Sequence, residues 1–151
     1  TRYDHFVKTK KIKVVEASHP IPDLNGYNAT KKIIQIAKRT SKDDLVIFLI
    51  SGGASALLCS PLDGINFDEK QKINNELLKS GASIDEMNIV RQSISAVKGG
   101  RLLELIKPSN CITYGISDIP GDDPSFIGSG PTIYSNNDPN KLFKILDNYQ
   151  I

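Results

Sequence analysis

Leu45-Val46-Ile47-Phe48-Leu49-Ile50 runs directly into Ser51-Gly52-Gly53-Ala54-Ser55-Ala56-Leu57-Leu58. Six apolar residues without alternation predict a strand buried on both faces, the usual strand of a parallel sheet. The polarity then switches to small and hydroxylic residues, and an apolar helix-like run follows. Glycines at the carboxyl end of a strand permit positive φ and let a ligand approach the backbone closely. In open α/β sheets that edge is where ligands bind. A plain strand-to-helix turn accounts for the same residues equally well, so the rest of the chain has to separate the two.

Cys111-Ile112-Thr113-Tyr114-Gly115-Ile116 reads as a second buried strand, and it empties into Ser117-Asp118-Ile119-Pro120-Gly121-Asp122-Asp123-Pro124 and onward to Gly128-Ser129-Gly130-Pro131-Thr132. That stretch is too long and too rich in Gly, Pro and Asp for a mere connection. Between and around the two strands the pattern is helical. Asn25 to Arg39 fits a helix with Ala29, Ile33, Ile36 and Ala37 on one face. Asn66 with Glu69, and Ser83 with Glu86, are capping boxes that open helices over about Phe67–Lys79, closed by Gly81, and from Ser83 to about Val97. The second of these carries a stripe of Ile84, Met87, Val90, Ile94 and Val97. Arg101–Ile106 is a short helix before Pro108, and Asp138-Pro139 starts a last helix through Tyr149. Ile12-Lys13-Val14-Val15 is a short strand candidate ahead of Pro20 and Pro22. Strands alternating with helices predict an α/β fold: a Rossmann-like, open, mainly parallel sheet with flanking helices and right-handed crossovers.

Composition excludes several classes. The 151 residues suffice for one domain with a core, with 39% apolar and 24% charged residues and no Trp. The 19 basic and 17 acidic residues leave a formal charge of +2, too balanced to imply nucleic acid or an anionic membrane as partner. Lys8, Lys10, Lys11 and Lys13 form the only basic cluster, explained most simply by a solvated strand edge. Cys59 and Cys111 make neither a metal spacing nor a disulfide framework. Cys111 lies in an apolar run, so a buried reduced thiol in a cytoplasmic protein is expected. No apolar run approaches the length of a membrane span, and no signal peptide is apparent. The chain begins on Thr1 and on polar residues, which suggests a piece of something longer.

If the two strands are parallel, their loops share one sheet edge. Ser51, Gly52, Gly53 and Ser55 then face Ser117, Asp118, Gly121, Asp122, Asp123 and the Gly128-Ser129-Gly130 turn. Backbone amides and hydroxyls suit phosphate oxygens, and neighbouring carboxylates suit magnesium, which prefers oxygen ligands and usually arrives with phosphate. Phosphoryl transfer is the chemistry these residues point to. Each also has a structural reading: Asp118 as a cap or turn former, Asp122 and Asp123 as turn residues, Lys98 as a solvated helix end, His19 as structural. The glycine turn is not a Walker A loop, since no Gly-Lys-Ser/Thr follows, nor the G-x-G-x-x-G of dinucleotide binders. There is no G-x-S-x-G elbow.

Four stretches together resemble glycerate 2-kinases of the MOFRL-associated type, a family also called hydroxypyruvate reductases. Glu16-Ala17-Ser18-His19-Pro20-Ile21-Pro22-Asp23 is similar to the family's E-A-G-H-P-x-P-D, and Leu49 to Leu57 to its L-I-S-G-G-G-S-A-L. Val90-Arg91 through Lys98-Gly99-Gly100-Arg101 is similar to V-R-K-H-L-S-x-I-K-G-G-R-L. Ser117-Asp118 through Gly121-Asp122-Asp123-Pro124 to Ser129-Gly130-Pro131-Thr132 is similar to S-D-V-x-G-D-D-P-x-x-I-x-S-G-P-T.

The resemblance implies an ATP- and magnesium-dependent kinase acting on the 2-hydroxyl of glycerate, in a two-domain protein with its site in the cleft between domains. Residues 1–151 would be the central part of its large, glycerate kinase N-terminal domain. An N-terminal segment with a family lysine and the C-terminal MOFRL domain with a family arginine would be absent. It further implies Ser51, Gly52, Gly53, Ser55, Arg91, Ser117 and Gly130 as phosphate or substrate contacts, and Asp118 and Lys98 as catalytic groups. Asp118 and Asp122 would hold the metal.

Two departures stand out. Ala54 replaces the third glycine of the turn, which requires altered or strained geometry if that position needs positive φ. Gln92 and Ser93 stand where the family has Lys and His, removing a cation from the helix that leads to Lys98. Three expectations follow: a glycerate 2-kinase fragment inactive alone, an oxidoreductase on hydroxypyruvate, or a non-catalytic remnant of a split gene. A cut sheet would expose strand edges, favouring aggregation or pairing between copies.

Overall fold

The computed structural model describes residues 1–106, 109–136 and 138–151. Its elements are α1 (Leu24–Ala37), β1 (Leu45–Ser51), α2 (Ala54–Leu57), α3 (Phe67–Ser80), α4 (Ile84–Ser93), α5 (Arg101–Ile106), β2 (Asn110–Ile116), a 3-10 turn at Ile127–Ser129, and α6 (Pro139–Tyr149). Pro108, expected to close α5, lies outside the described residues. β1 and β2 pair in parallel from Leu45 opposite Asn110 to Ser51 opposite Ile116. This is the parallel α/β arrangement with flanking helices that the alternating pattern predicts.

The helix starts follow their side-chain chemistry. Asp23 Oδ1 accepts the Gly26 amide to cap α1. Asn66 and Ser83 each form a reciprocal capping box, with Glu69 and Glu86 respectively, and Asp138 caps α6 ahead of Pro139. Gly81 takes the left-handed conformation that ends α3. α4 stops at Ser93 rather than near Val97. Arg101 donates to the carbonyls of Gln92 and Ser95, and the Ala96 amide donates to Ser60 O. Those bonds take backbone groups that a continuing helix would use, and Val97 and Lys98 turn inward with them.

Two apolar clusters hold the molecule. Leu77, Ile89, Val90, Ile94 and Ile145 join α3, α4 and α6. Ala37, Leu58, Val97, Leu102 and Ile106 pack beneath the sheet, where Val46, Phe48 and Cys111 meet them.

Several sequence expectations need correction. β1 is not buried on both faces: Val46, Phe48 and Ile50 are half-buried, whereas Leu45, Ile47 and Leu49 are exposed, Leu49 to 74%. With Ile112, Tyr114 and Ile116 of β2 they form an apolar sheet face that no described element covers. In α1 the buried positions are Gly26, Thr30 and Ala37, while Ile33 and Ile36 of the predicted stripe are exposed. Ile12–Val15 forms no strand: among the described residues its hydrogen bonds are the Thr1 amine on Val15 O and the Thr9 hydroxyl on Ile12 O, and the nearby bridge pairs Arg2 with Ala17. The Lys8–Lys13 cluster is therefore exposed chain rather than a strand edge. The fully buried thiol is Cys59, and Cys111 is only partly covered; both are free. No described helix is long and apolar enough to cross a membrane.

The open face carries a direct expectation. Leu49→Lys should change monomer stability by no more than about 0.5 kcal/mol, as for an exposed site away from special contacts, and should lower concentration-dependent association. Sedimentation velocity on both chains checks this; equal association would contradict it.

Candidate functional site

Parallel pairing with Ser51 opposite Ile116 brings the two strand-end loops to one edge. There Gly52 lies against Asp118. A Cβ at Gly52 would run into Asp118 Oδ2 and Cγ, with Oδ1 at 2.7 Å. Gly52 is not among the positive-φ residues, so its lack of a side chain is required by this approach rather than by its backbone. Gly53 does adopt positive φ, +80°, and caps α2. His19 sits over it, with Nε2 3.2 Å from where a Cβ would stand. Ala54 is the first helical residue of α2 and has no positive φ, so the third glycine is dispensable and the expected strain is absent.

Lys98 ties these pieces together. Its ammonium, 2% exposed, donates to Ser55 O (2.8 Å), Leu58 O (3.2 Å) and Gly128 O (3.2 Å). An ammonium has three hydrogens, and all three are engaged with backbone carbonyls that join the glycine turn to the Gly128–Gly130 loop. Ser55 Oγ and Ser129 Oγ are 2.9 Å apart, and Ser129 Oγ donates to Asn88 Oδ1. Gln92, at the position of the family lysine, donates from Nε2 to Ser125 O and Ser129 O. A neutral amide thus holds the loop there, and Ser93 merely bonds back to Ile89 O.

A cavity of about 190 Å³ lies under the turn, and it gathers six of the sequence-derived site residues: Gly52, Gly53, Ser55, Arg91, Lys98 and Asp118. A larger cleft of about 820 Å³ lies on the other side, and Ser51, Gly52, Gly53, His19 and Asp118 line it. Its remaining walls combine Ala29, Ile33 and Ile36 of α1 and the β1 edge with the basic side chains of Arg2, His5, Lys13 and Lys32. Ser117, Asp122 and Gly130 line neither cavity. Ser117 Oγ is engaged locally with Ile119, Asp122 has φ of +52°, and Gly130 is packed against the Ser125 backbone. Among the described residues no group of three or more His, Cys, Asp or Glu could share a metal ion.

Residues that the sequence reading passed over also line the small cavity: Cys59, Lys70, Asn74 and Asn88. The available signal was in α3, where Lys70 and Asn74 fall on the same stripe as buried Leu77. Burial pushes the Lys70 ammonium down to about 8 and that of Lys98 to about 7, each further lowered by neighbouring cations. The three carbonyls around Lys98 oppose this by favouring its charged form. Burial pushes the Cys59 thiol up, so it stays neutral between the lysines.

These shifts fix a sign. Both folded-state lysine values lie below that of a free lysine, about 10.4, so above pH 7 the unfolded chain binds more protons than the folded one. Stability therefore rises with pH in that range. The Cys59 shift works the other way once the unfolded thiol ionises, at about pH 8.5. The urea midpoint is expected to be higher at pH 8.5 than at pH 7; a fall over that interval would contradict the assignment.

The family described as a domain of unknown function, DUF4147, matches residues 1–151. The chain belongs to the DUF4147 family. It is 46% identical over its whole length to a putative hydroxypyruvate reductase of Agrobacterium vitis, covering 39% of that protein. It is 38% identical to the D-glycerate 2-kinase of Thermotoga maritima, covering 36% of it. The crystal structure of the Thermotoga maritima glycerate kinase superimposes on all of the chain with a TM-score of 0.93, over 37% of its own length. This DUF4147 chain thus spans about a third of the length of the curated relatives it matches.

Proposed function

We propose that the chain supplies the acceptor half of a glycerate 2-kinase site, in which the ATP γ-phosphoryl group passes to the 2-hydroxyl of glycerate. In this reading residues 1–151 are the central part of the kinase's large domain. The observation that carries it is the Gly52–Asp118 approach at the shared strand edge, beside a cationic cavity, in a chain similar to a D-glycerate 2-kinase. Asp118 orients the hydroxyl and accepts its proton. Gly52 leaves room for the Asp118 carboxylate, and in this reading the backbone amides of the Gly52-Gly53 turn meet the phosphate. Lys98 holds Ser55, Leu58 and Gly128 in register and adds positive potential beneath the turn.

Magnesium fits here as an ion with a single protein carboxylate, Asp118, and its other ligands from phosphate and water. It would neutralise charge on the transferring group. Asp122 is retained as an outer partner of that ion. Arg91 faces the acid, and Ser51, Ser55, Ser117 and Gly130 shape the turn and loop around the phosphate. The cations expected to complete the charge balance would come from outside these 151 residues, so the chain alone should turn over glycerate negligibly.

A chimera in which this chain replaces the matching third of the Thermotoga maritima enzyme should phosphorylate glycerate. Substantial turnover by the isolated chain would contradict the half-site reading. The name of the Agrobacterium vitis relative favours a second reading, reduction of hydroxypyruvate. The glycine turn lacks the G-x-G-x-x-G fingerprint, so NADH is expected not to bind; saturable quenching of its fluorescence by the chain would revive that reading.

A further inference from the structure

The small cavity holds more donors than the proposed phosphoryl chemistry uses. Three cations line it, Lys70, Arg91 and Lys98, against one carboxylate, Asp118. Lys98 is saturated by carbonyls. Lys70 is 1% exposed, yet among the described residues its ammonium has a single acceptor, Ile94 O at 3.0 Å, leaving two hydrogens unengaged there. Arg91 has no hydrogen bond or ion pair among the described residues, where the one ion pair is Lys72 with Glu76. Among the described residues the buried Asn74 side chain likewise has no partner, and Asn88 uses only its oxygen, accepting from Ser129. Cys59 is a neutral thiol and supplies no counter-charge. Arg91 is half-buried, and these open donors face the cavity rather than sealed protein: among the described residues the one buried side-chain polar atom without a partner is Ser109 Oγ. Open donors in excess of the one carboxylate in the lining suit a small oxyanion.

We propose that Lys70, Arg91 and Asn74 form the seat for the carboxylate of a small hydroxy acid, with the Asn88 amide beside them. This rests on the phosphotransferase reading above and assigns the end of the substrate that does not react. At about 190 Å³ the space is below the usual range for larger ligands, about 300 Å³ upward. It suits an acid of a few carbons and excludes a nucleotide. A planar guanidinium favours a carboxylate through paired hydrogen bonds. With the carboxylate seated against Lys70 and Arg91, the adjoining hydroxyl is left to Asp118, the single carboxylate in the lining.

The test is an amide chemical-shift titration of the isotopically labelled chain with D-glycerate, inorganic phosphate, glycerol and magnesium-ATP at pH 7. D-glycerate should bind in the millimolar range, ahead of inorganic phosphate, and glycerol should not bind. Lys70→Met should weaken D-glycerate at least about tenfold and leave magnesium-ATP within twofold. Lys70→Arg should retain most of the glycerate affinity. Asn74→Asp, nearly isosteric, should abolish glycerate binding by placing a negative charge in the seat, and it answers the question if Lys70→Met does not fold.

Glycerol binding as tightly as glycerate, phosphate binding more tightly, or glycerate indifferent to both substitutions would overturn the seat. So would the absence of glycerate binding. The two readings separate cleanly: glycerate binding that depends on Lys70, with no turnover by the folded chimera, supports the seat and counts against the kinase. A chimera that phosphorylates glycerate, with glycerate binding indifferent to Lys70, does the reverse.

Discussion

Gly52→Ala is expected to remove the activity of the chimeric kinase by about a hundredfold or more while the fold stays intact. The new Cβ would occupy the space of Asp118 Oδ2 and Cγ. Those atoms are the free end of a side chain, so the carboxylate swings away rather than the backbone breaking. Gly52 lacks positive φ, so alanine brings no backbone strain, and the stability change should stay within about 1 kcal/mol. A displacement of an ångström at a reacting group can cost about a hundredfold, and loss of a general base typically costs 10²–10⁴, on the order of the same effect or larger. Gly52→Ala and Asp118→Ala should therefore not add: the double variant should be about as impaired as either single one. Additive losses would show that the glycine acts on something other than Asp118.

Lys98→Met should have the largest effect on stability, roughly 3 kcal/mol or more. Methionine fills similar volume and removes the cost of burying an ammonium. It also leaves the carbonyls of Ser55, Leu58 and Gly128 without their donor, and each unsatisfied buried group costs about 1–3 kcal/mol. Three such losses outweigh the relief of desolvation. The same substitution frees the glycine turn from the Gly128–Gly130 loop, so glycerate binding should fall with stability. Urea unfolding at pH 7 reads the first effect. A variant as stable as the parent would mean that the lysine is tolerated there for charge alone, and its three carbonyls would need another account.

Much of this was legible in the residues, for identifiable reasons. Capping boxes at Asn66 and Ser83 and the Asp138-Pro139 start are local chemistry, and each helix begins where they predict. The long apolar runs of β1 and β2 carried the parallel edge at which the candidate site lies. What could not be read was which neighbour each face meets. The β1 run is apolar on both sides, but only the Val46–Phe48–Ile50 side is covered by the described helices. In α1, Ile33 and Ile36 look inward by composition, yet Gly26, Thr30 and Ala37 are the buried set, because close packing there favours small residues. Thr30 shows the mechanism: its hydroxyl accepts the Cys59 amide across the interface.

The candidate site shows the same division. Gly52, Gly53, Ser55, Arg91, Lys98 and Asp118 converge as the motifs imply. The Lys70–Asn74 pair was missed because a lysine on a helix is ordinarily read as solvated. Only its place one and two turns before buried Leu77 marks it as inward. Conversely, the three carbonyls that engage Lys98 depend on long-range chain folding, from Ser55 and Leu58 on one side and Gly128 on the other, which no local pattern reveals.

The central claim, that this chain brings the acceptor half of a glycerate kinase site with Asp118 at its centre, is tested most directly in the chimera. The measurement is glycerate-dependent ATP consumption by the purified, folded chimera, compared with its Asp118→Asn variant. The expected result is clear turnover with phosphate transferred to the 2-hydroxyl, reduced at least about a hundredfold in the variant. A folded chimera without turnover, or one indifferent to Asp118→Asn, would contradict the account.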